Sequence, residues 1–181
     1  SEFREAQPHV QLNLHDQPPS EQLDALMNGE LEIGFVGVEP EKVPEGIRCT
    51  EWMEERLRLF LPVGHLLEGR KEVRLRDLKE EPFVMIASEA APAYASYLRA
   101  LCREEGFRPR VVQEARRAQA VAAMAVAGSG VAILPESLDR ITGNGVLLVG
   151  PKRKQIKMTH VVAHREVPGK TAALFLNHIE S

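Results

Sequence analysis

The chain has 181 residues, 44% hydrophobic and 27% charged, with a formal net charge of −3; this suits a soluble globular protein of one domain or two small lobes. The slight negative charge argues against a nucleic-acid-binding surface spread over the chain, and no apolar run reaches the roughly 18–20 residues of a membrane span. Cys49 and Cys102 are far apart and stand alone, which argues against a disulfide framework or a zinc site and reads as two separate buried thiols in a reducing cytoplasm.

Ser1–Gln7 reads as the tail of a helix stopped before Pro8, since a residue ahead of proline is pushed out of the α region. Val10, Leu12 and Leu14 alternate with Gln11 and Asn13, which predicts a strand. Pro18, Pro19 and Ser20 then open a helix, because proline is tolerated in a first turn and Glu21 suits the positive end. Leu23, Leu26 and Met27 are its inward residues, and Gly29 its stop. Leu31, Ile33 and Phe35 form the next strand, with Gly34 and Gly37 allowing close backbone approach. A Pro- and Glu-rich link follows from Val38 to Ile47, and a second block begins near Trp52.

In that block Leu57, Leu59, Leu61 and Val63 alternate with Arg56, Arg58 and Phe60, a strand pattern. Val73, Leu75 and Leu78 mark a short helical turn or two. Phe83–Ile86 is a buried strand. Pro92 starts a helix through Glu105, with Tyr94, Tyr97, Leu98 and Leu101 as its core stripe and Gly106 as its stop; Val111 and Val112 form a strand. The stretch Ala115–Pro135 organises what surrounds it. Ala118, Val121, Ala122, Ala125 and Val126 repeat at helical spacing, and their small side chains let the helix lie close to its cover. Gly128 stands where a left-handed cap needs a residue without Cβ, and Ser129 and Gly130 complete the turn. Val131–Leu134 is short and fully apolar, a buried strand ended by Pro135. Such a helix–turn–strand unit implies an α/β protein whose parallel sheet carries helices on its faces. A short helix, strands at Val146–Val149 and Met158–Ala163, and a last helix at Thr171–Ile179 with Ala172, Leu176 and Ile179 inward complete the chain.

Four stretches, PHVQLNLHD, SEQLDALMNGELEIGFVG, RLFLPVGHLL and VAAMAVAGSGVAILPES, stand in this order over nearly the whole chain. Together they resemble the effector-binding (regulatory) domain of LysR-type transcriptional regulators. The resemblance implies a two-lobed type II periplasmic-binding-protein-like fold with two crossover strands. Lobe I would be residues 1–54 and 156–181 and lobe II residues 55–155, in keeping with the Pro-rich link before Trp52 and a loop around Lys152–Gln155. The domain would be N-terminally truncated: the family's winged helix, linker helix and first effector-domain strand have no counterpart, and Ser1–Gln7 would be the tail of the helix after that strand. The family also tends to carry Ser or Thr at the start of the next helix, where this chain has Pro18, Pro19 and then Ser20.

The family's effector cleft lies between lobes, where helix starts and strand ends converge. The matching positions are Ser20, Gly37 and Val38 in lobe I, Ser88, Glu89, Pro92, Ala93 and Tyr94 before and in the lobe II helix, Arg116 and Arg117 before the organising helix, and His160 on the return strand. Helix starts leave N–H groups unpaired and partly positive, so they receive anions. Each position has a plainer reading. Ser20 reads as an ordinary helix cap, Tyr94 as a core ring whose hydroxyl needs a partner, and His160 as a solvent-facing strand residue. Ser88 precedes Pro92 by several residues and need not cap that helix. Arg116 and Arg117 oppose the positive end of the helix they precede, and no Ser, Thr, Asp or Asn in Glu114–Arg117 caps it. A bound carboxylate would account for both features; the alternative is that Glu114 or Glu89 neutralises the arginines or that both point to water.

No metal is expected. His160 and His164 share a strand face about 13 Å apart, and His9, His15, His65 and His178 lack ligand spacing. The run Lys152, Arg153, Lys154, Lys157 looks like a phosphate-binding cluster but reads better as a solvated loop. With no nucleophile elbow, phosphate loop or local Cys/His pair, the chain is read as non-enzymatic and without a cofactor. The resemblance implies a cytoplasmic sensor of a small carboxylate or other anion, forming a homodimer or tetramer, and touching DNA only through the winged helix. In such a dimer Glu21–Asn28 would lie near the partner's Tyr97–Glu105. The alternative is an enzyme or solute-binding protein sharing the two-lobed fold.

Overall fold

The computed structural model describes residues 2–142, 145–150 and 154–179; Lys152 and Arg153 of the basic run lie outside them. The chain forms two compact units, Ser1–Met53 with His160–Ser181, and Glu54–Thr159.

The first unit contains α1 (Glu2–Ala6), α2 (Pro19–Met27), β1 (Ile33–Gly37), the first part of β2 (Ile47–Phe60), the last part of β8 (Lys157–Arg165) and α6 (Lys170–Ile179). β1 pairs antiparallel with β8, from Ile33 opposite His164 to Gly37 opposite Val161. Leu26, Val36, Ile47, Val161 and Ala163 form a buried core, with Leu23, Leu31, Val43 and Cys49 packed partly against it. Gly34 makes this possible: a Cβ there would stand 3.3 Å from Leu26 and 3.0 Å from the end of Gln22. Ala172 and Leu176 of α6 are buried, and Phe3 of α1 packs edge-on to Phe175 at 5.0 Å.

Two expectations fail here. Val10–Leu14 is not a strand: the segment has no ladder partner, Leu14 is 87% exposed, and alternation alone cannot supply the neighbour whose backbone a strand must bond. Met27 is half exposed rather than inward, because the buried stripe of α2 runs through Ala25 and Leu26.

The second unit holds the rest of β2 with β3 (Glu72–Arg74), β4 (Pro82–Ile86), α3 (Pro92–Glu104), β5 (Arg110–Ala115), α4 (Ala118–Met124), β6 (Ala132–Pro135), α5 (Asp139–Thr142), β7 (Gly145–Val149) and the start of β8. β4 pairs with β5, and β3 with β7, in parallel; β2 pairs antiparallel with β6 and with β7. The sheet of β4 and β5 is thus parallel, as the helix–turn–strand unit implies, whereas the sheet that holds β2, β3, β6 and β7 is mixed. Val131 still bonds parallel to β4, its N–H donating to the Pro82 carbonyl at 2.7 Å and its carbonyl accepting from Val84 N–H at 2.9 Å. From Ala132 onward the chain bonds β2 instead.

β2 is one strand of 14 residues that passes from the first unit to the second between Met53 and Glu54, next to the expected start of the second block near Trp52, and it ends with Leu57, Leu59 and Phe60 all buried while Val63 is 72% exposed. Val73 belongs to β3 and only Leu75–Leu78 is helical, as a 3-10 turn. The stripe of α3 is Tyr94, Ala95, Leu98 and Cys102. Tyr97 and Leu101 are half-buried, and the Tyr97 hydroxyl donates to the Lys157 carbonyl. The turn after α4 contains Gly128 at φ +103° and Gly130 at φ +151°, both reserved for glycine.

Candidate functional site

The carboxyl ends of β4 and β5 lie side by side. Ile86 pairs with Ala115, and Ala87 N–H donates to the Ala115 carbonyl at 2.9 Å. Residues just beyond therefore fall on adjacent strand ends, about 4.8 Å apart by ordinary sheet spacing. Ser88, Glu89, Pro92, Ala93 and Tyr94 follow β4; Arg116 and Arg117 follow β5. The parallel pairing thus places the two segments that hold the seven sequence-predicted residues of this unit after neighbouring strand ends, where open α/β sheets place ligands.

Both helices that start at this edge lack a side-chain cap. Ala91 is the cap residue of α3, with Pro92 in its first turn, and Arg117 that of α4. Neither first turn contains an acidic residue. Arg116 is exposed and Arg117 half-buried, and each already has a protein interaction. Glu114, offered above as their neutraliser, lies 3.8 Å from Arg99. Glu89 is exposed.

Ser88 is half-buried, and its Oγ accepts a hydrogen bond of 2.8 Å from Nη1 of Arg99. Sequence reasoning missed Arg99; the available signal was a cation two turns into a helix that starts at this edge. Tyr94 has the plainer of its two environments: it is 6% exposed and its hydroxyl donates to the Ile133 carbonyl at 2.8 Å, tying α3 to β6. Burial pushes its pKa above the ordinary tyrosine range, and burial raises the Cys102 thiol from 9.0 to about 11. Both folded-state values lie above the unfolded ones, so the Cys102 contribution is whole below about pH 9 and is lost as pH rises toward 11, and that of Tyr94 is lost only from about pH 10 upward. The urea midpoint should fall between pH 9 and 10.5, and less steeply in Cys102→Ala; equal slopes would contradict the assignment to Cys102.

In the first unit Ser20, Gly37, Val38 and His160 gather separately. α2 precedes β1 through a tight turn and packs on Gly34, so its start lies toward the carboxyl end of β1, where Gly37 (φ +73°) and Val38 stand. His160 adjoins Val161, the partner of Gly37 in β8; it is half-buried and has an interaction of its own. Ser20 is not the cap of α2. Pro18 holds that position, with no side-chain bond, and its carbonyl accepts from Gln22 N–H at 3.0 Å. Ser20 instead sits in the first turn, because two prolines move the helix start ahead of it.

A recess of about 280 Å³ lies beside Val10–His15, the edge of β1 and Ala172 and Phe175 of α6. It was not foreseen, because the segment on its rim was expected to be part of the sheet. Among the described residues no cluster of His, Cys, Asp and Glu is placed to hold a metal ion, and no helix is long and apolar enough to cross a membrane.

The family model of the LysR substrate binding domain matches residues 1–181. The transcriptional regulator AlsR of Bacillus subtilis is 28% identical over 166 residues, 91% of this chain and 54% of that protein. BenM of Acinetobacter baylyi is 26% identical over 142 residues, 77% of this chain and 46% of that protein. The chain thus spans about half the length of these relatives. In structure it is similar to the C-terminal domain of a probable LysR family regulator from Rhodococcus (TM-score 0.79, 24% identity, 99% of this chain and 89% of that one). It is also similar to the effector binding domain of BenM with its effector benzoate (TM-score 0.74, 20% identity, 98% of this chain and 81% of that one).

Proposed function

The chain belongs to the family of LysR substrate binding domains, and from that premise we propose that its effector is a small organic anion, a carboxylate first of all. The domain is the effector-binding part of a LysR-type regulator, with the α/β, periplasmic-binding-protein-like fold of that family, which is one of regulators and not of enzymes. The reading of an enzyme or solute-binding protein on a shared fold is thereby set aside.

The observation that carries the anion reading is the edge formed by β4 and β5. It joins a serine hydroxyl, two arginines and the uncapped start of α3 at neighbouring strand ends. N–H groups at helix starts and arginine forks suit carboxylate oxygens. BenM, a relative of the same family, has benzoate as an effector, which is consistent with a carboxylate here. Ser88, Glu89, Pro92, Ala93, Arg116 and Arg117 are the residues proposed for this surface; Ser20, Gly37, Val38 and His160 are proposed as a separate set of effector contacts within the first unit. Tyr94 supports the surface from beneath. The units correspond to the family's lobes I and II.

A thermal-shift panel of carboxylates, phosphates and neutral metabolites tests the proposal. A ligand at 100 times its Kd should stabilise the fold by about 2.7 kcal/mol, a melting shift of roughly 5–10 °C for a chain of this size. The shift should shrink in Arg116→Ala and Arg117→Ala. A neutral best ligand, or an anion held equally well by both variants, would remove the arginines from the site.

Transcriptional control, DNA binding through a winged helix and cytoplasmic residence are proposed for the whole regulator. The domain itself should self-associate, with Glu21–Asn28 of one copy beside Tyr97–Glu105 of the other. Met27, half exposed on α2, supplies the apolar contact. Sedimentation at high concentration should show dimers that Met27→Glu weakens; a strict monomer would count against this.

A further inference from the structure

We propose that Arg99 is a positioning residue that makes Ser88 a fixed hydrogen-bond donor, so that the site selects ligands presenting an acceptor at that point. The inference rests on the anion reading above and goes further, because it names one polarity at one atom. A guanidinium has five N–H donors and no acceptor. In the 2.8 Å contact between Arg99 Nη1 and Ser88 Oγ the serine oxygen must therefore accept. Its own O–H has to point elsewhere, and a carboxylate oxygen is the partner a free O–H suits.

Three elements hold this arrangement. Arg99 projects from α3, Ser88 follows β4, and Glu114 of β5 lies 3.8 Å from the second guanidinium nitrogen, Nη2. The carboxylate of Glu114 aligns the fork and offsets its charge. The backbone beneath Ser88 is pinned in turn by the Ala87–Ala115 bond between the strands. Arg99 and Glu114 have side chains 39% and 40% exposed, so their pairing adds little to stability; its effect is on the direction of the serine hydroxyl. Without Arg99 the same hydroxyl rotates freely and accepts as readily as it donates.

The test uses acetate, succinate and benzoate with their primary amides as probes, titrated by calorimetry into the parent, Ser88→Ala, Arg99→Met, Arg99→Lys and the Ser88→Ala/Arg99→Met double variant. The parent should bind at least one carboxylate more tightly than its amide. Ser88→Ala and Arg99→Met should each cut carboxylate affinity about five- to tenfold, the span of one hydrogen bond, and narrow the preference over the amide by a smaller factor, because the amide carbonyl also accepts from the serine but as a neutral, weaker acceptor. The double variant should be no worse than Ser88→Ala, since Arg99 acts through Ser88, and Arg99→Lys should recover part of the loss. Additive losses, or equal weakening of acid and amide in Arg99→Met, would mean that Arg99 merely braces α3 and would overturn the inference while leaving the anion reading standing. Failure of every carboxylate to bind the parent would overturn both. Melting temperatures of the free variants within a few degrees of the parent show that each is folded; should Arg99→Met be unstable, Arg99→Lys against the Ser88 variant decides the same question.

Discussion

Gly130→Ala should cost about 4 kcal/mol and lower the melting temperature by roughly 10 °C, combining a strained backbone angle with lost hydrogen bonds. The position has φ +151°, and a Cβ there would stand 2.5 Å from the Pro82 carbonyl oxygen. No side chain can yield, because both groups are backbone. That oxygen also accepts Val131 N–H, and Val131 in turn accepts from Val84, so the methyl group pushes β4 away from the segment bonded to it. Gly128→Ala is the control. It has φ +103° and open space around a Cβ, so it should cost only about 1 kcal/mol, the conformational penalty alone. Equal losses at the two positions would show that close approach to Pro82 is not what requires glycine.

Leu26→Ala is the second large effect, about 3–4 kcal/mol for a fully buried leucine whose cavity cannot close. Leu26 has no exposed surface and packs with Val36, Ile47, Val161 and Ala163. Its neighbour Met27 is 50% exposed, so Met27→Ala should stay within about 0.5 kcal/mol of the parent. Urea unfolding of the two variants checks this directly. Comparable losses would place Met27 inward after all, as helical spacing alone had suggested.

That pair of residues shows where pattern reading stops. Periodicity locates a stripe to within a residue, and at Leu26 and Met27 one residue decides between core and surface. The same limit explains Val10–Leu14. Alternation reports which sides a strand would present, but the strand exists only where another backbone bonds it. β2 was underread for the opposite reason: its first part is polar and largely exposed, so alternation becomes visible only at Leu57. Elements stated by local chemistry were legible. The apolar run Phe83–Ile86, the proline that starts α3, and the glycines that turn α4 into the following strand each have a cause within a few residues. The strand-end location of Ser88 and Arg116 followed from these. The Arg99–Ser88 bond did not, because it joins residues 11 positions apart across a helix start, and no local pattern encodes which flank of α3 faces the strand ends.

The most direct test of the account is an amide chemical-shift map of the isolated domain titrated with the carboxylate that gives the largest thermal shift. Perturbations should concentrate at Ser88–Tyr94 and Arg116–Ala118. A map centred on Val10–His15 and the α6 recess, with the β4 and β5 strand ends unmoved, would contradict it.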